Sequence, residues 1–183
     1  MTVSARVLAV DDRRENLLAL QAILEGLPIE VVPVTSGEDA LKKLLVQDYA
    51  VILLDARMPG MDGFETARHV KQRERTRHIP ILFLTAADYD PHVAFRGYQA
   101  GAVDYITKPF DPWVLRSKVT VFVDLYLLHT KLAERAAERD ALRRSVDEAL
   151  ALLDAAEPAD AATSALVDRL RSVLGALRHD QPW

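Results

Sequence analysis

Five short runs of apolar residues recur along the chain, each followed by a polar or helically spaced stretch: Val7–Val10, Val31–Val34, Val51–Leu54, Ile81–Leu84 and the weaker Val103–Ile106. They are rich in Val, Ile and Leu and do not alternate with polar residues, the pattern of strands buried on both faces of a parallel sheet. Between them the apolar positions take helical spacing, as in Leu17, Leu20, Ile23 and Leu24, and again in Ala40, Leu41, Leu44 and Leu45. Repeated strand–helix units imply right-handed crossovers with helices on both faces of the sheet. The expected fold is a doubly wound α/β domain with a five-stranded parallel sheet, ending near residue 123. No repeat of solenoid period and no low-complexity tract interrupts it.

The pattern changes after this domain. Asp111 stands where it can cap a helix, Pro112 suits the first helical position, and no breaker follows until Pro158. One helix of about 45 residues is expected, on the order of 65 Å long at 1.5 Å per residue. Val114 to Leu128 is apolar enough to pack on the sheet, whereas Lys131 to Glu157 is charged with a thinner stripe, so this helix should leave the domain. Val121, Leu125, Leu128, Leu132, Leu142, Val146, Ala149 and Leu153 share one heptad frame, but Arg135 and Arg139 hold the core positions between, and Ala136 suggests a local shift of register. The pattern fits a two-stranded coiled coil with an irregularity, and equally a helix packed on its own downstream partner. Such a partner follows the break at Glu157-Pro158-Ala159-Asp160, with Leu166, Leu170, Leu174 and Leu177 on one face. The expected division is therefore 1–123 for the α/β domain, 124–157 for the continuing helix and 158–183 for a short amphipathic helix and tail.

Composition narrows the classes of function. The 183 residues suit one well-cored domain with an appendage, and a half-apolar composition with mean hydropathy near zero is that of a folded soluble chain. The apolar runs stop at Asp55 and Asp124, far short of the roughly 20 residues that cross a bilayer, and the N-terminus lacks the pattern of a secretory signal. A cytoplasmic location and no membrane contact are expected. The chain has no cysteine, which excludes disulfides and thiolate metal sites. Residues 1–123 hold 15 Lys/Arg and 16 Asp/Glu, and residues 124–183 hold 8 and 11, so neither part has the basic excess of a nucleic-acid binder. Lys131, Arg135, Arg139 and Arg143 recur every four residues, but the i, i+4 partners Asp140–Arg144, Arg143–Asp147 and Arg144–Glu148 make a solvated face the better reading.

In open α/β sheets ligands bind beyond the carboxyl ends of the strands, and those positions are unusually polar here. The first strand ends in Asp11-Asp12, the third in Asp55 and the fourth in Thr85, while Thr107-Lys108-Pro109 follows the fifth. Three carboxylates at one edge repel each other, by roughly 4 kcal/mol per pair at 4 Å with an effective dielectric near 20. A hard divalent cation, Mg²⁺ (or Mn²⁺), together with the Lys108 ammonium would balance them. A carboxylate so placed can attack phosphorus to form an acyl phosphate, with a hydroxyl and a lysine beside it to bind the phosphoryl oxygens.

Val10-Asp11-Asp12, Leu54-Asp55 through Met58-Pro59-Gly60 to Asp62-Gly63, Leu84-Thr85-Ala86, and Gly101 through Asp104-Tyr105-Ile106-Thr107-Lys108-Pro109-Phe110 resemble, in order, the signatures of response-regulator receiver domains. The resemblance covers about residues 5–123. It implies a flavodoxin-like receiver fold and a two-component phosphorelay in which Asp55 accepts a phosphoryl group from a histidine kinase. Asp12, Asp55 and the main-chain carbonyl of Arg57 would bind the metal ion directly, with Asp11 acting mainly through water. Thr85 and Lys108 would contact the phosphoryl group, with a cis bond before Pro109. Tyr105 would be the aromatic switch that follows Thr85, acting first on the surface formed by the fourth helix, fifth strand and fifth helix. Arg57 and Ala87 stand at positions flanking the route of the attacking water, and Ala56 replaces a frequent aromatic.

Plainer roles exist for several of these residues. Asp11-Asp12 alone could be a helix-capping pair, 58–63 an ordinary turn and Tyr105 a half-buried strand residue; Asp55, Thr85 and Lys108 in register decide against the first. His69, His78, His92, His129 and His179 have no metal spacing. A dehalogenase-type phosphatase would need an Asp two residues after its nucleophile, whereas Asp11 is followed by Asp12 and Arg13. The expectation is a signalling module rather than a turnover enzyme. Its long helix should pair in a homodimer or bind an effector protein, and a scaffold whose tail binds independently of phosphorylation is the alternative.

Overall fold

The structure, a computed structural model, describes residues 5–86, 101, 103–155 and 160–179. The chain divides into two compact units, Met1–Leu128 and His129–Trp183. In the first unit β1 (Ala5–Val10), β2 (Ile29–Val34), β3 (Val51–Asp55), β4 (Ile81–Ala86) and β5 (Asp104–Lys108) form one sheet in the order β2-β1-β3-β4-β5. Every pairing is parallel. The central strand β3 is buried along its whole length, as its unbroken apolar run requires.

Alternate residues of the strands feed two separate cores. Leu8, Ile52, Leu54, Ile81 and Phe83 face α2 (Gly37–Val46) and α3 (Gly63–Gln72). Val7, Ala9, Val51, Leu53, Leu82 and Leu84 face α1 (Arg14–Leu24) and the start of α4 (Pro112–Ala155), which contributes Leu115, Val119 and Val123. The doubly wound, flavodoxin-like arrangement follows from this two-residue period.

Short polar groups start the helices. Ser36 Oγ accepts from Asp39 N at 3.2 Å, and Asp62 Oδ1 accepts from Glu65 N at 2.7 Å. Asp111 Oδ1 accepts from Trp113 N and Val114 N at 2.9 and 3.1 Å. At the other end of α1, the Arg116 guanidinium donates to the carbonyls of Ile23 (2.6 Å) and Glu25 (2.8 Å), which fastens α4 to the last turn of α1.

In the second unit α4 continues to Ala155, and α5 (Ala161–His179) begins at Asp160, whose Oδ1 accepts from Thr163 N at 2.7 Å. Arg171 Nε donates to Asp154 Oδ1 at 2.8 Å and its Nη2 to the Leu153 carbonyl at 3.4 Å, so α5 turns back toward the end of α4. Val146 is the one buried residue among those described in this unit, while Leu142, Leu152, Leu166 and Val173 are exposed. None of the described helices is long and apolar enough to cross a membrane.

Candidate functional site

The sheet order reverses between β1 and β3, the topological switch point where the carboxyl ends of neighbouring strands splay apart and leave a crevice. Asp11 follows β1, Asp55 ends β3, and the two strands are hydrogen-bonded neighbours. Carboxylate oxygens of Asp11, Asp12 and Asp55 lie within 4.8 Å of one another. Asp11 and Asp55 are buried and Asp12 is exposed, so the cluster opens to solvent at Asp12.

Lys108, at the end of β5, reaches across the sheet edge. Its Nζ donates to Asp11 Oδ2 at 2.6 Å and to Asp55 Oδ2 at 2.9 Å. The peptide bond from Lys108 to Pro109 is cis. Burial pushes the Asp55 carboxyl above its ordinary range, and the hydrogen bond and charge of Lys108 pull it back down. One ammonium thus bridges two of three clustered carboxylates, and the cluster keeps an excess of negative charge.

The remaining oxygens are aimed by the backbone. Arg57 N donates to Asp55 Oδ1 at 3.3 Å, which sets the Arg57 main chain beside the pocket while its side chain is exposed. Asp11 Oδ1 accepts from Arg13 N at 2.9 Å, and the Asn16 amide donates to both Asp11 oxygens at 2.9 and 3.0 Å. Asn16 escapes the strand-end rule because it sits inside α1; its only signal in the sequence is a polar residue in the first helical turn, five places after Asp11.

Gly63 is a second residue that spacing alone does not single out. A Cβ there would lie 2.1 Å from the Asp55 carbonyl oxygen, and Gly63 N donates to the Ala56 carbonyl at 3.2 Å. The start of α3 is therefore pressed against the backbone of Asp55 itself, a contact that only glycine permits. The loop between them turns at Gly60, whose φ of +75° lies in the left-handed region that favours glycine.

Thr85 lies on β4 one residue beyond the level of Asp55, paired with Thr107 of β5, and is half-buried. Tyr105 pairs with Phe83 and packs, half-buried, against the core on the α2 and α3 side. The structure thus brings Asp11, Asp12, Asp55, the Arg57 backbone and Lys108 into one pocket and sets Thr85 on the adjoining strand. Ala87, His92 and the helix expected between β4 and β5 lie outside the described residues.

Residues 7–120 match the family model of the response regulator receiver domain. The chain belongs to the response-regulator receiver family. The response regulator PleD of Caulobacter vibrioides is 38% identical over 135 residues, covering 74% of this chain and 30% of that protein. The sensor histidine kinase GacS of Pseudomonas protegens is 36% identical over 177 residues. That match covers 92% of this chain, and so reaches into the helical extension, but 19% of GacS. The chain therefore spans less than a third of either relative. Among solved structures, the Vibrio cholerae chemotaxis protein CheY4 superposes with a TM-score of 0.62 at 32% identity over 66% of this chain and 99% of that one. A putative response regulator from Chloroflexus aurantiacus gives the same TM-score at 34% identity. Membership of the family implies a histidine kinase as phosphodonor and a divalent cation at the acidic pocket.

The residues present suit such an ion. Three carboxylates offer oxygen ligands with no nitrogen or sulfur among them, the donor set of Mg²⁺. Asp12 is the exposed member, and neither the Lys108 nor the Asn16 bonds engage it.

Proposed function

We propose that Asp55 accepts a phosphoryl group from the phosphohistidine of a histidine kinase, and that the long C-terminal helices carry the response, by binding an effector protein or by dimerising. The observation that carries this reading is the Lys108 ammonium held between Asp11 and Asp55 at 2.6 and 2.9 Å. It neutralises the pocket enough for an anionic phosphodonor to approach, and it stands where the product's charge would develop.

In the step itself an Asp55 carboxylate oxygen bonds to phosphorus as the phosphorus–nitrogen bond to the donor imidazole breaks. The displaced imidazole nitrogen takes up a proton. Asp12 and Asp55, with the Arg57 carbonyl and Asp11 through water, would hold Mg²⁺, which supplies charge neutralisation to the phosphoryl oxygens. Thr85 and Lys108 would receive those oxygens on the product side, and Tyr105 would follow Thr85. Asp11 is held by Asn16 and Lys108, and this restraint fits an orienting and charge-balancing role better than that of a second nucleophile. Turnover chemistry is accordingly confined to gain and loss of the phosphoryl group on Asp55. The acidic balance of residues 124–183 favours a protein target over nucleic acid, in the cytoplasm.

The test is intact-mass measurement after incubation with Mg²⁺ and a small phosphodonor. The wild type should gain the mass of one phosphoryl group, and Asp55→Asn and a chelator-treated sample should not. Equal modification of Asp55→Asn would overturn the assignment. The exposed leucines of the second unit also favour an adaptor that binds irrespective of Asp55; equal partner affinity with and without phosphorylation would select that reading.

A further inference from the structure

Asp11 is fully buried, and hydrogen bonds reach both of its oxygens from two sides. Oδ1 accepts from Arg13 N at 2.9 Å and Oδ2 from Lys108 Nζ at 2.6 Å. Asn16 Nδ2 donates to both oxygens, at 2.9 and 3.0 Å. A carboxylate offers about four lone-pair positions, so those of Asp11 are all engaged. The near-equal Asn16 distances place its nitrogen between the two oxygens, in the space that a cation held by both of them would need.

Local structure fixes Asn16 there. α1 begins at Arg14, and Arg13 supplies no side-chain cap. Side chains at the third helical position commonly reach back over the helix start, and that of Asn16 does so to Asp11 rather than to the cap residue. Asn16 N donates to the Arg13 carbonyl at 3.1 Å, and its neighbour Leu17 is buried in the core with Leu20. The amide is therefore presented to Asp11 by a packed helical turn.

The other two carboxylates of the cluster are open. Asp12 is exposed, and Asp55 accepts from Arg57 N on one oxygen and from Lys108 on the other, which leaves about two of its lone pairs unused. This division suits one class of ion better than another. Mg²⁺ takes a carboxylate or two and keeps several waters, whereas Ca²⁺ collects about six to eight oxygens and accepts carboxylates through both of theirs. A third open carboxylate would therefore favour Ca²⁺ more than Mg²⁺. We infer that Asn16 is a positioning residue that sets the ion preference of this pocket, by occupying both oxygens of Asp11 and so denying Ca²⁺ a third carboxylate ligand. This role rests on the reading of the pocket as a Mg²⁺ site given above, and it names the side chain that selects the ion.

The test is calorimetric titration of the full chain with MgCl₂ and with CaCl₂, for the wild type, Asn16→Ala and Asn16→Leu. Alanine is well tolerated in a helix, and leucine keeps the bulk of the side chain without its donor, so either variant answers should the other fold poorly. In both, Ca²⁺ should bind about tenfold more tightly than it does to the wild type, while Mg²⁺ affinity should change by less than about threefold. A purely structural role for Asn16, in which Asp11 merely tilts, would move both ions by the same factor. Equal shifts, no shift, or a ratio displaced toward Mg²⁺ would each overturn the proposal. Phosphoryl incorporation, measured by intact mass on the same samples, keeps the two readings apart. Incorporation into the wild type with an unaltered ion ratio in the variants sinks the role of Asn16 alone, and an altered ratio without incorporation sinks the assignment of Asp55 alone.

Discussion

Between residues 5 and 128 two layers of Leu, Val and Ile close over both faces of a five-stranded sheet, whereas from 129 to 179 Val146 alone is buried among the described residues. Fixing a residue's backbone costs about 1–2 kcal/mol, so helices must recover that cost from burial or from a partner. The first unit recovers it internally. In the second, the apolar side chains that could do so, such as Leu142, Leu152 and Leu166, face solvent. The contrast teaches where to look for chemistry and where to look for contacts: a buried sheet edge can hold charged groups in fixed geometry, and an underpacked helix pair leaves its apolar side chains open to solvent.

The largest effect that could break this contrast is a matched pair of truncations. Leu53→Ala, fully buried in β3, should cost about 2–5 kcal/mol in urea unfolding, the usual range for a leucine removed from a packed core. Leu152→Ala, exposed on α4, should change the receiver's unfolding by no more than about 0.5 kcal/mol. Comparable losses would show that the extension has a core of its own.

Next in size is Gly63→Ala. A methyl group 2.1 Å from the Asp55 carbonyl oxygen forces α3 away from β3, and overpacking of this kind costs about 1–3 kcal/mol. The expected outcome is a lower urea midpoint together with slower phosphoryl incorporation, since the displaced backbone carries Asp55 itself. A variant as stable and as reactive as wild type would mean that the helix start and Asp55 are not coupled.

How much of this was legible in the sequence differs between the two regions. Of the five strands, β1, β3 and β4 could be read because strands buried on both faces must be continuously apolar, whereas the edge strands β2 and β5 are only partly buried. The reading missed their first residues only where Arg6 and Glu30 interrupt the runs, and these two pair across β1 and β2 at 2.8 Å. Asp11, Asp12, Asp55, Thr85 and Lys108 were legible as residues at strand ends. What local pattern cannot supply is distance between strands: Lys108 gripping two carboxylates contributed from 97 and 53 residues away, Asn16 orienting Asp11, and Gly63 lying against Asp55. In the extension the heptad frame left a coiled coil and a folded-back helix open, because both use the same apolar positions. The Arg171 contacts to Asp154 and Leu153 now place α5 back along the end of α4.

A smaller effect separates the energetics of the pocket from those of the core. Burial raises the Asp55 carboxyl in the folded protein above its ordinary 3.8, so over the pH range just above that value the unfolded chain binds fewer protons than the folded one. Stability from this group is then lost as pH rises through that window. Asp55→Asn has no such loss. It should be more stable than wild type at neutral pH, by on the order of 1 kcal/mol or less, and the advantage should shrink on acidification toward pH 4. Thermal unfolding of both proteins across that range decides it, and a difference independent of pH would mean that the carboxylate's burial costs nothing.

The smallest expected effect tests the second unit directly. Arg171 bonds Asp154 and Asp168 with 42% of its side chain exposed, and exposed ion pairs contribute about 0–1 kcal/mol. Arg171→Ala should therefore leave the receiver's urea midpoint where it is. What it should alter is local: with the guanidinium gone, the Leu153 carbonyl and Asp154 lose their tie to α5, and amides of residues 161–179 should exchange faster while those of the sheet do not. If sheet amides were also deprotected, the two units would share one cooperative transition. The extension would then be part of the receiver's stability rather than a lightly held element free to respond to a partner.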